Sequence, residues 1–385
     1  MTDIGIEDRE LLRTAVRDAL GQLSTSQDVR RAMATARGYE DLAWRRLSQE
    51  LGLPGLVVSG EHGGAGLTVR ELGIAIEEAG ATLLCAPLFA TAALALPLLA
   101  SLKDEAAIAA WGPAIASGQL TATVALAEDS GRWDLATVAT TATEGPDGWV
   151  LTGVKNYVVD GASAGLILVV ARTSGGEPGV FAVSQGAAGL GVEQLVTLDQ
   201  TRKQARLTLT SVRARRVGHH DTTKDAIAVA TAISRALLAA EQVGGAQHCL
   251  DMTVRYARDR IQFGRPIGSF QAVKQRLAEM LILIESARSA AYAALEAAAS
   301  QQANREPASR EHTDDLEHVA AIAALMAQEA YSYVTAQTIQ LHGGIGFTWE
   351  HDAHLYFKRA RASAILLGTA SELTDLIGRR LEAII

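Results

Sequence analysis

The apolar residues of this chain change their period twice, and that order constrains its architecture more tightly than any single motif. From about residue 5 to 118 the spacing is helical, as in Leu11, Val16 and Leu20 or Leu72, Ile74 and Ile76, with glycine-rich breaks such as Gly60 to Gly66. From 119 to 225 short β-branched runs alternate with turn residues, at 121–125, 135–143, 149–152, 166–171, 180–183 and 205–210. Gly145-Pro146-Asp147-Gly148 reads as a hairpin turn between two of them. From 226 onward the helical spacing returns in long Ala- and Leu-rich segments at 228–256, 269–299, 313–341 and 360–385, with a polar connector at 301–312. The expected fold class is therefore α+β. An N-terminal helical domain spans 1–118, a middle β-barrel or sandwich domain 119–225, and a C-terminal four-helix bundle 226–385.

Composition narrows the function classes. The chain has 385 residues, 48% hydrophobic and 20% charged, which suits a folded multidomain protein. A net charge of −8 argues against a nucleic-acid binder. Cys85 and Cys249 offer neither a disulfide framework nor a paired-cysteine metal spacing. The N-terminus is charged from residue 3 and has no apolar signal core, so the expected location is cytoplasmic. Between Glu78 and Lys103 no charge occurs, which is long enough for a membrane span. Pro87, Pro97 and the many alanines favour a buried helix pair instead, with no membrane role.

Two segments carry chemistry. Arg260-Ile261-Gln262-Phe263-Gly264-Arg265-Pro266-Ile267-Gly268-Ser269-Phe270-Gln271 is a cationic helix end, a Gly/Pro turn and a new helix with Ser269 as its expected N-cap. Gln340-Leu341-His342-Gly343-Gly344-Ile345-Gly346 ends a helix in glycines, whose backbone admits close approach and whose N–H groups suit a phosphate. Read alone, the first is equally a solvated helix hairpin and the second a plain C-cap. Arg258, Arg260, Arg265 and Lys274 form a small basic stretch suited to the phosphates of a cofactor or coenzyme A. His342, His351 and His354 cluster without matching carboxylate or cysteine spacing, so no metal is expected there.

At this separation and in this order, the segments resemble the acyl-CoA dehydrogenase family over nearly the whole chain. Gly63-Gly64-Ala65-Gly66 and Glu77-Glu78-Ala79-Gly80 look like its N-terminal domain. Ala125 to Glu128 and Gly153-Val154-Lys155-Asn156-Tyr157-Val158-Val159 look like its β domain, and Gly368-Thr369 with Glu372 like its C-terminal cofactor contact. The resemblance implies FAD at subunit interfaces of a tetramer, an acyl-CoA thioester substrate, and an electron-transfer flavoprotein as electron acceptor. It implies that Arg260, Gln262, Phe263 and Gln271 reach a neighbour's FAD, with Gln340, Gly343 and Gly344 around the same cofactor. Leu126, Ala127, Glu128, Tyr157, Val158, Val159 and Thr369 match groups beside the flavin ring.

The family's reaction takes a proton from the carbon α to the thioester, which requires a positioned carboxylate. In many members that base immediately precedes the C-terminal Gly-Thr, where this chain has Leu367. The family's second position falls on Ser234, before Arg235. Glu241, two turns further along the same helix, is the remaining candidate; it reads equally as an ordinary interface glutamate. Burial in an acyl cavity would raise its proton affinity and suit it to the role. The family's Thr-Glu-Pro-x-x-Gly-Ser-Asp loop appears as Ala127-Glu128-Asp129-Ser130-Gly131-Arg132-Trp133-Asp134, and its usual tryptophan as Tyr157. The chain thus keeps the residues that reach a neighbour's flavin and lacks some that hold its own. That asymmetry is expected of the non-catalytic subunit of an α2β2 enzyme, a type found in this family for steroid side-chain thioesters in actinobacteria. Two alternatives stand beside it: another flavin-dependent oxidation on the same fold, or a non-enzymatic scaffold for a partner's FAD site. Small residues Gly244-Gly245-Ala246 suggest room for a bulky acyl group.

Overall fold

A computed structural model describes residues 4–146, 148–303 and 310–384, so part of the expected 301–312 connector, and Asp147 of the hairpin, lie outside the described residues. The first domain is helical: α1 (Ile6–Leu23), α2 (Ser26–Ala34), α3 (Asp41–Arg45), α4 (Val69–Ala81), α5 (Leu96–Ser101) and α6 (Glu105–Ala116). Side-chain caps set several starts. Thr25 with Asp28 and Thr68 with Glu71 form reciprocal capping boxes, and the Asp104 carboxylate accepts from Ala107 N at 2.9 Å. α1 docks on α4 through a ladder of arginines: Arg9 to Glu71 at 2.9 Å, Arg13 to Glu77 at 3.0 Å and Arg17 to Glu78 at 2.9 Å. The charge-free stretch is broken at residues 82–87, after which a π-helical segment, Phe89–Ala95, runs into α5; all of the first and most of the second are buried.

The middle domain holds β1 (Ala122–Ala125), β2 (Thr141–Gly145), β3 (Gly148–Val159), β4 (Leu166–Thr173), β5 (Pro178–Ser184), β6 (Leu190–Gln194) and β7 (Gln204–Val217). β4 pairs with β2, β2 with β3, β3 with β7, β7 with β5, and β5 again with β4. The strands therefore close a ring, with β1 beside β4 and β6 beside β7. Of the two expected alternatives, this is the barrel. Its interior is a separate apolar cluster built around Phe181, Ile167, Leu151 and Leu207. β6 is an addition to the expected strands: only Val192 and Leu190 mark it as apolar, and it lies on the rim beside β7.

α7 (His220–Asp259) is the spine of the third domain, at 40 residues about 60 Å long. It is long and apolar enough to cross a membrane, but 78% of its apolar window is buried in the fold. A small hairpin, β8 (Ile261–Gln262) and β9 (Arg265–Pro266), leads to α8 (Gln271–Ala303) and α9 (Arg310–His342). The expected fourth helix at 360–385 is instead two, α10 (Ala353–Ser363) and α11 (Ala370–Ile384). Leu367 at φ 64° and Gly368 at φ 131° turn the chain between them, a conformation no α-helix contains. Ser269 is not the N-cap of α8; its hydroxyl donates to Pro266 O at 2.7 Å.

α4 crosses α7 at a distance that admits no side chain. A Cβ on Gly80 would lie 2.0 Å from Glu241 O, and one on Gly244 would lie 1.9 Å from Glu77 O. Gly245 faces the Tyr331 ring, where a Cβ would come within 2.6 Å of its hydroxyl. The small residues at 244–246 thus serve helix packing, which corrects their reading as space for a bulky acyl group. Gly80→Ala or Gly244→Ala is expected to destabilise the fold by about 1–3 kcal/mol through overpacking. Gly378→Ala, in α11 with nothing near its missing Cβ, is expected to stabilise by about 0.5–1 kcal/mol. Thermal denaturation of the three variants checks both signs.

Candidate functional site

The expected site residues fall into two groups. The first lies between the middle and C-terminal domains, along a groove of about 890 Å³ whose walls include Leu126, Arg132, Trp133, Arg235, Gly368 and Glu372. Local bonding fixes its middle-domain wall. The Lys155 ammonium, fully buried, donates to Leu126 O at 3.0 Å and to Glu128 at 2.8 Å, while Asn156 N donates to Ala127 O at 2.9 Å. Burial pushes the Lys155 amine down to about 8. Burial opposes ionisation of Glu128, but its bonds from Lys155 and Thr140 outweigh this and hold it below the usual carboxylate range. Its side chain is thus committed within the barrel.

β3 carries a register shift between Lys155 and Val158, which leaves Tyr157 at φ 57° with its ring half-exposed beside Gly131. Val158 and Val159 are buried, and Val159 O accepts from the Thr123 hydroxyl at 2.6 Å. Positive φ at a tyrosine is costly and concentrates at functional sites.

The two positions where the resemblance led a base to be expected, 367 and 234, hold a leucine and a serine, each next to a residue that lines the groove. Leu367 is buried, and its carbonyl accepts from Arg235 Nε at 2.8 Å. The Ser234 hydroxyl bonds to Ala93 O at 2.6 Å and Ala230 O at 2.8 Å. Thr369 caps α11: its N–H and hydroxyl both donate to Glu372, at 2.9 and 3.0 Å.

Glu241 lies elsewhere. Its carboxylate sits between the Arg202 and Arg359 guanidinium groups, with Arg359 Nη1 at 2.9 Å. Arg359 also donates to Asp199 at 2.9 Å and to Thr201, and Arg202 stacks on the Phe89 ring at 4.5 Å. Where the role of base was expected, the structure places Glu241 in a buried ion-pair network with its carboxylate facing two guanidinium groups. Nothing in the sequence near Glu241 announces those partners, which stand 39 and 118 residues away.

Asp160 is a member of the same network that the motif reading missed. It follows the Tyr157–Val159 turn, has φ 52°, and lines a small cavity of about 20 Å³ with Arg202, Glu241 and Arg359. Such a space holds one water. Burial pushes its carboxyl up to about 7, against the pull of Arg202 and Arg359. The charges explain this: Asp199 and Glu241 already balance the two arginines.

The second group is an exposed arm. Phe263 at φ 53° and Gly264 at φ 77° form the two-residue tip of the β8–β9 hairpin, and Phe263 is 92% exposed. Arg260, Gln262 and Gln271 are exposed too, as are Gln340, Gly343 and Gly344. Tyr256, whose carbonyl accepts from Arg260 N at 2.8 Å, stacks on His342 at 4.4 Å, so the arm's root and the Gly343 turn share one end of the bundle. His342, His351 and His354 pack among Tyr256 and Trp349, and burial lowers the proton affinity of all three. Among the described residues no group of three or more His, Cys, Asp or Glu is placed to hold a metal ion.

FAD, which the family implies, does not fit this chain's own groove. Arg132 and Trp133 stand where the family has Gly-Ser, the Thr369 hydroxyl is spent on Glu372, and five cationic side chains face six carboxylates along the walls. A pyrophosphate needs the opposite balance.

Fold and element order together define a three-domain α+β protein: a helical first domain, a central barrel and a C-terminal bundle. Profiles of the acyl-CoA dehydrogenase N-terminal, middle and C-terminal domains match residues 6–119, 123–212 and 225–382. This chain belongs to the acyl-CoA dehydrogenase family, a family of flavoprotein oxidoreductases of fatty-acid and steroid catabolism. It is 36% identical to the acyl-CoA dehydrogenase IpdE2 of Mycobacterium tuberculosis, over 98% of this chain and 97% of that one. Its fold is similar to the ChsE4-ChsE5 complex of Mycobacterium tuberculosis (30% identity, 99% of each chain, TM-score 0.85). It is also similar to a variant of the Tcur3481-Tcur3483 steroid ACAD (30% identity, 98% of each chain, TM-score 0.84).

Glu241→Gln is expected to destabilise the fold by about 3–5 kcal/mol, since it leaves buried guanidinium charge unpaired. For Asp160, the folded state keeps a proton that the unfolded chain releases from its ordinary value of 3.8, until about 7. Stability therefore falls as pH rises through that window. Asp160→Asn removes the effect, so its melting temperature is expected to gain on the wild type progressively between those limits, by the equivalent of about 1–4 kcal/mol at neutral pH.

Proposed function

We propose that this chain is the non-catalytic subunit of a heteromeric acyl-CoA dehydrogenase. In this reading a homologous partner supplies the catalytic carboxylate and holds the FAD, and the assembly introduces an α,β double bond into an acyl-CoA thioester. This chain contributes the exposed arm, with Arg260, Gln262, Phe263 and Gln271, which completes the partner's cofactor site. Its role is to bind and orient; the proton at the carbon α leaves to the partner.

The observation that carries the reading is the state of the three candidate base positions. Leu367 is apolar, Ser234 has spent its hydroxyl on backbone carbonyls, and Glu241 is clamped by two arginines. An enzyme acting alone needs one of them to accept a proton. The arm supports the other half of the reading, because a 92% exposed phenylalanine held at positive φ on a hairpin tip suits a contact outside its own core. The relatives support it also: two of the similar structures are described as pairs, ChsE4-ChsE5 and Tcur3481-Tcur3483, and the second as a steroid ACAD. A steroid-type acyl-CoA is accordingly the substrate class proposed, and an electron-transfer flavoprotein the acceptor.

The test is the visible spectrum and flavin content of the purified chain, alone and co-expressed with a homologous chain that carries glutamate before its Gly-Thr. The expected outcome is no flavin band alone, one FAD per pair of chains in the complex, and bleaching on addition of acyl-CoA. A chain that alone holds one FAD and is bleached by acyl-CoA overturns the reading. In the complex, Phe263→Ala with Arg260→Ala in this chain is expected to weaken FAD retention about tenfold or more while the circular dichroism stays unchanged.

A further inference from the structure

We propose that the Arg132–Glu372 ion pair, flanked by Trp133, is a strut that spans this chain's own groove and excludes a dinucleotide from it. The inference rests on the partner-subunit reading and supplies its physical cause. Arg132 and Trp133 stand on the loop after β1, on the middle-domain bank; Glu372 stands on the first turn of α11, on the opposite bank. Arg132 Nε and Glu372 Oε1 are 2.7 Å apart, so the pair joins the banks directly. The second oxygen of Glu372 is fixed from below by the Thr369 N–H and hydroxyl. Both oxygens of the carboxylate are therefore engaged, and it cannot swing aside without uncapping the helix.

Four consequences follow for an incoming dinucleotide. The Thr369 hydroxyl proton is already given to Glu372 and cannot be donated to the dinucleotide. Its phosphates meet Asp134 and Asp375 on the groove walls, and ionised carboxylates repel them. The half-buried Trp133 indole packs against the apolar core and takes volume that glycine and serine would leave open. The only nearby guanidinium on that loop, Arg132, is already neutralised by Glu372 among the described residues. The strut thus works by occupation and by charge together.

The proposal is tested by titrating the full-length chain with FAD and following flavin fluorescence quenching, for wild type, Glu372→Gln and the double variant Arg132→Gly/Trp133→Ser. Wild type is expected to show no saturable binding. The double variant is expected to saturate at one FAD per chain, at least about tenfold tighter than wild type, with Glu372→Gln between them. Glu372→Gln keeps an acceptor for Thr369, and it decides the matter by itself if the double variant fails to fold. Wild type that saturates at one FAD per chain overturns both the strut and the partner-subunit reading. Wild type and folded variants that all stay empty overturn the strut alone.

Discussion

The three domains meet at one buried group of charges, and much else in the structure follows from the need to keep it neutral. Asp199, Thr201 and Arg202 come from the loop before β7, Glu241 from the middle of α7 and Arg359 from α10, each less than one-tenth exposed. Arg202 leans on Phe89 of the first domain. Charges so deep are tolerated only when paired and hydrogen-bonded, and here each guanidinium has a carboxylate. The network fixes the barrel's position against the bundle, because none of its members can move without stranding another. It also sets a limit on Asp160, whose carboxyl must stay close to neutral because the two cations are already matched.

The same network explains why the α4–α7 crossing tolerates no side chain. Glu241 presents its carboxylate to the arginines while its backbone carbonyl lies against Gly80 of α4, and one turn on Gly244 lies against Glu77. Glu77 in turn binds Arg13, Arg288 and Tyr292 on the outer side of the crossing. A wider helix spacing would withdraw Glu241 from Arg359 on one side and Glu77 from its arginines on the other. Close packing and charge pairing therefore reinforce each other across one pair of helices.

What the sequence made legible were the features encoded locally. The change of apolar period placed the helices and most strands, and the Gly145–Gly148 turn pairs as read. The exposure of residues 260–264 was implicit in a cationic helix end followed by a Gly/Pro turn, and a leucine at 367 and a serine at 234 could be read directly. What was hidden depends on distant residues. Closure of the barrel joins β4 to β5 and β5 to β7, pairings no local pattern announces. The break at Leu367 requires positive φ in a residue that disfavours it, so nothing in its side chain marks it. The surroundings of Glu241 were hidden because Arg202 and Arg359 lie far away in sequence, and a carboxylate's role is set by what faces it. Gly244 was misread for a related reason: a glycine marks where something comes close, without saying whether it is ligand or backbone.

The two groups of candidate residues differ in how the fold treats them, and that difference underlies the proposal that a site is divided between homologous chains. Residues that act within the chain are bound by its own groups: Glu128 to Lys155, Thr369 to Glu372, Ser234 to Ala93. Such residues can change function only if their partners change with them, and here Arg132 joining Glu372 is a change of that coupled kind. The arm is under no such constraint. Its tip hangs from a two-residue hairpin whose ladder is only Ile261 to Pro266 and Gln262 to Arg265, and Phe263 rests on no deeper core than the edge of Phe270. Loss of a base or a filled groove therefore leaves the arm's geometry intact. A subunit can shed its own chemistry while keeping what it lends to a neighbour, because the lending residues never depended on the groove.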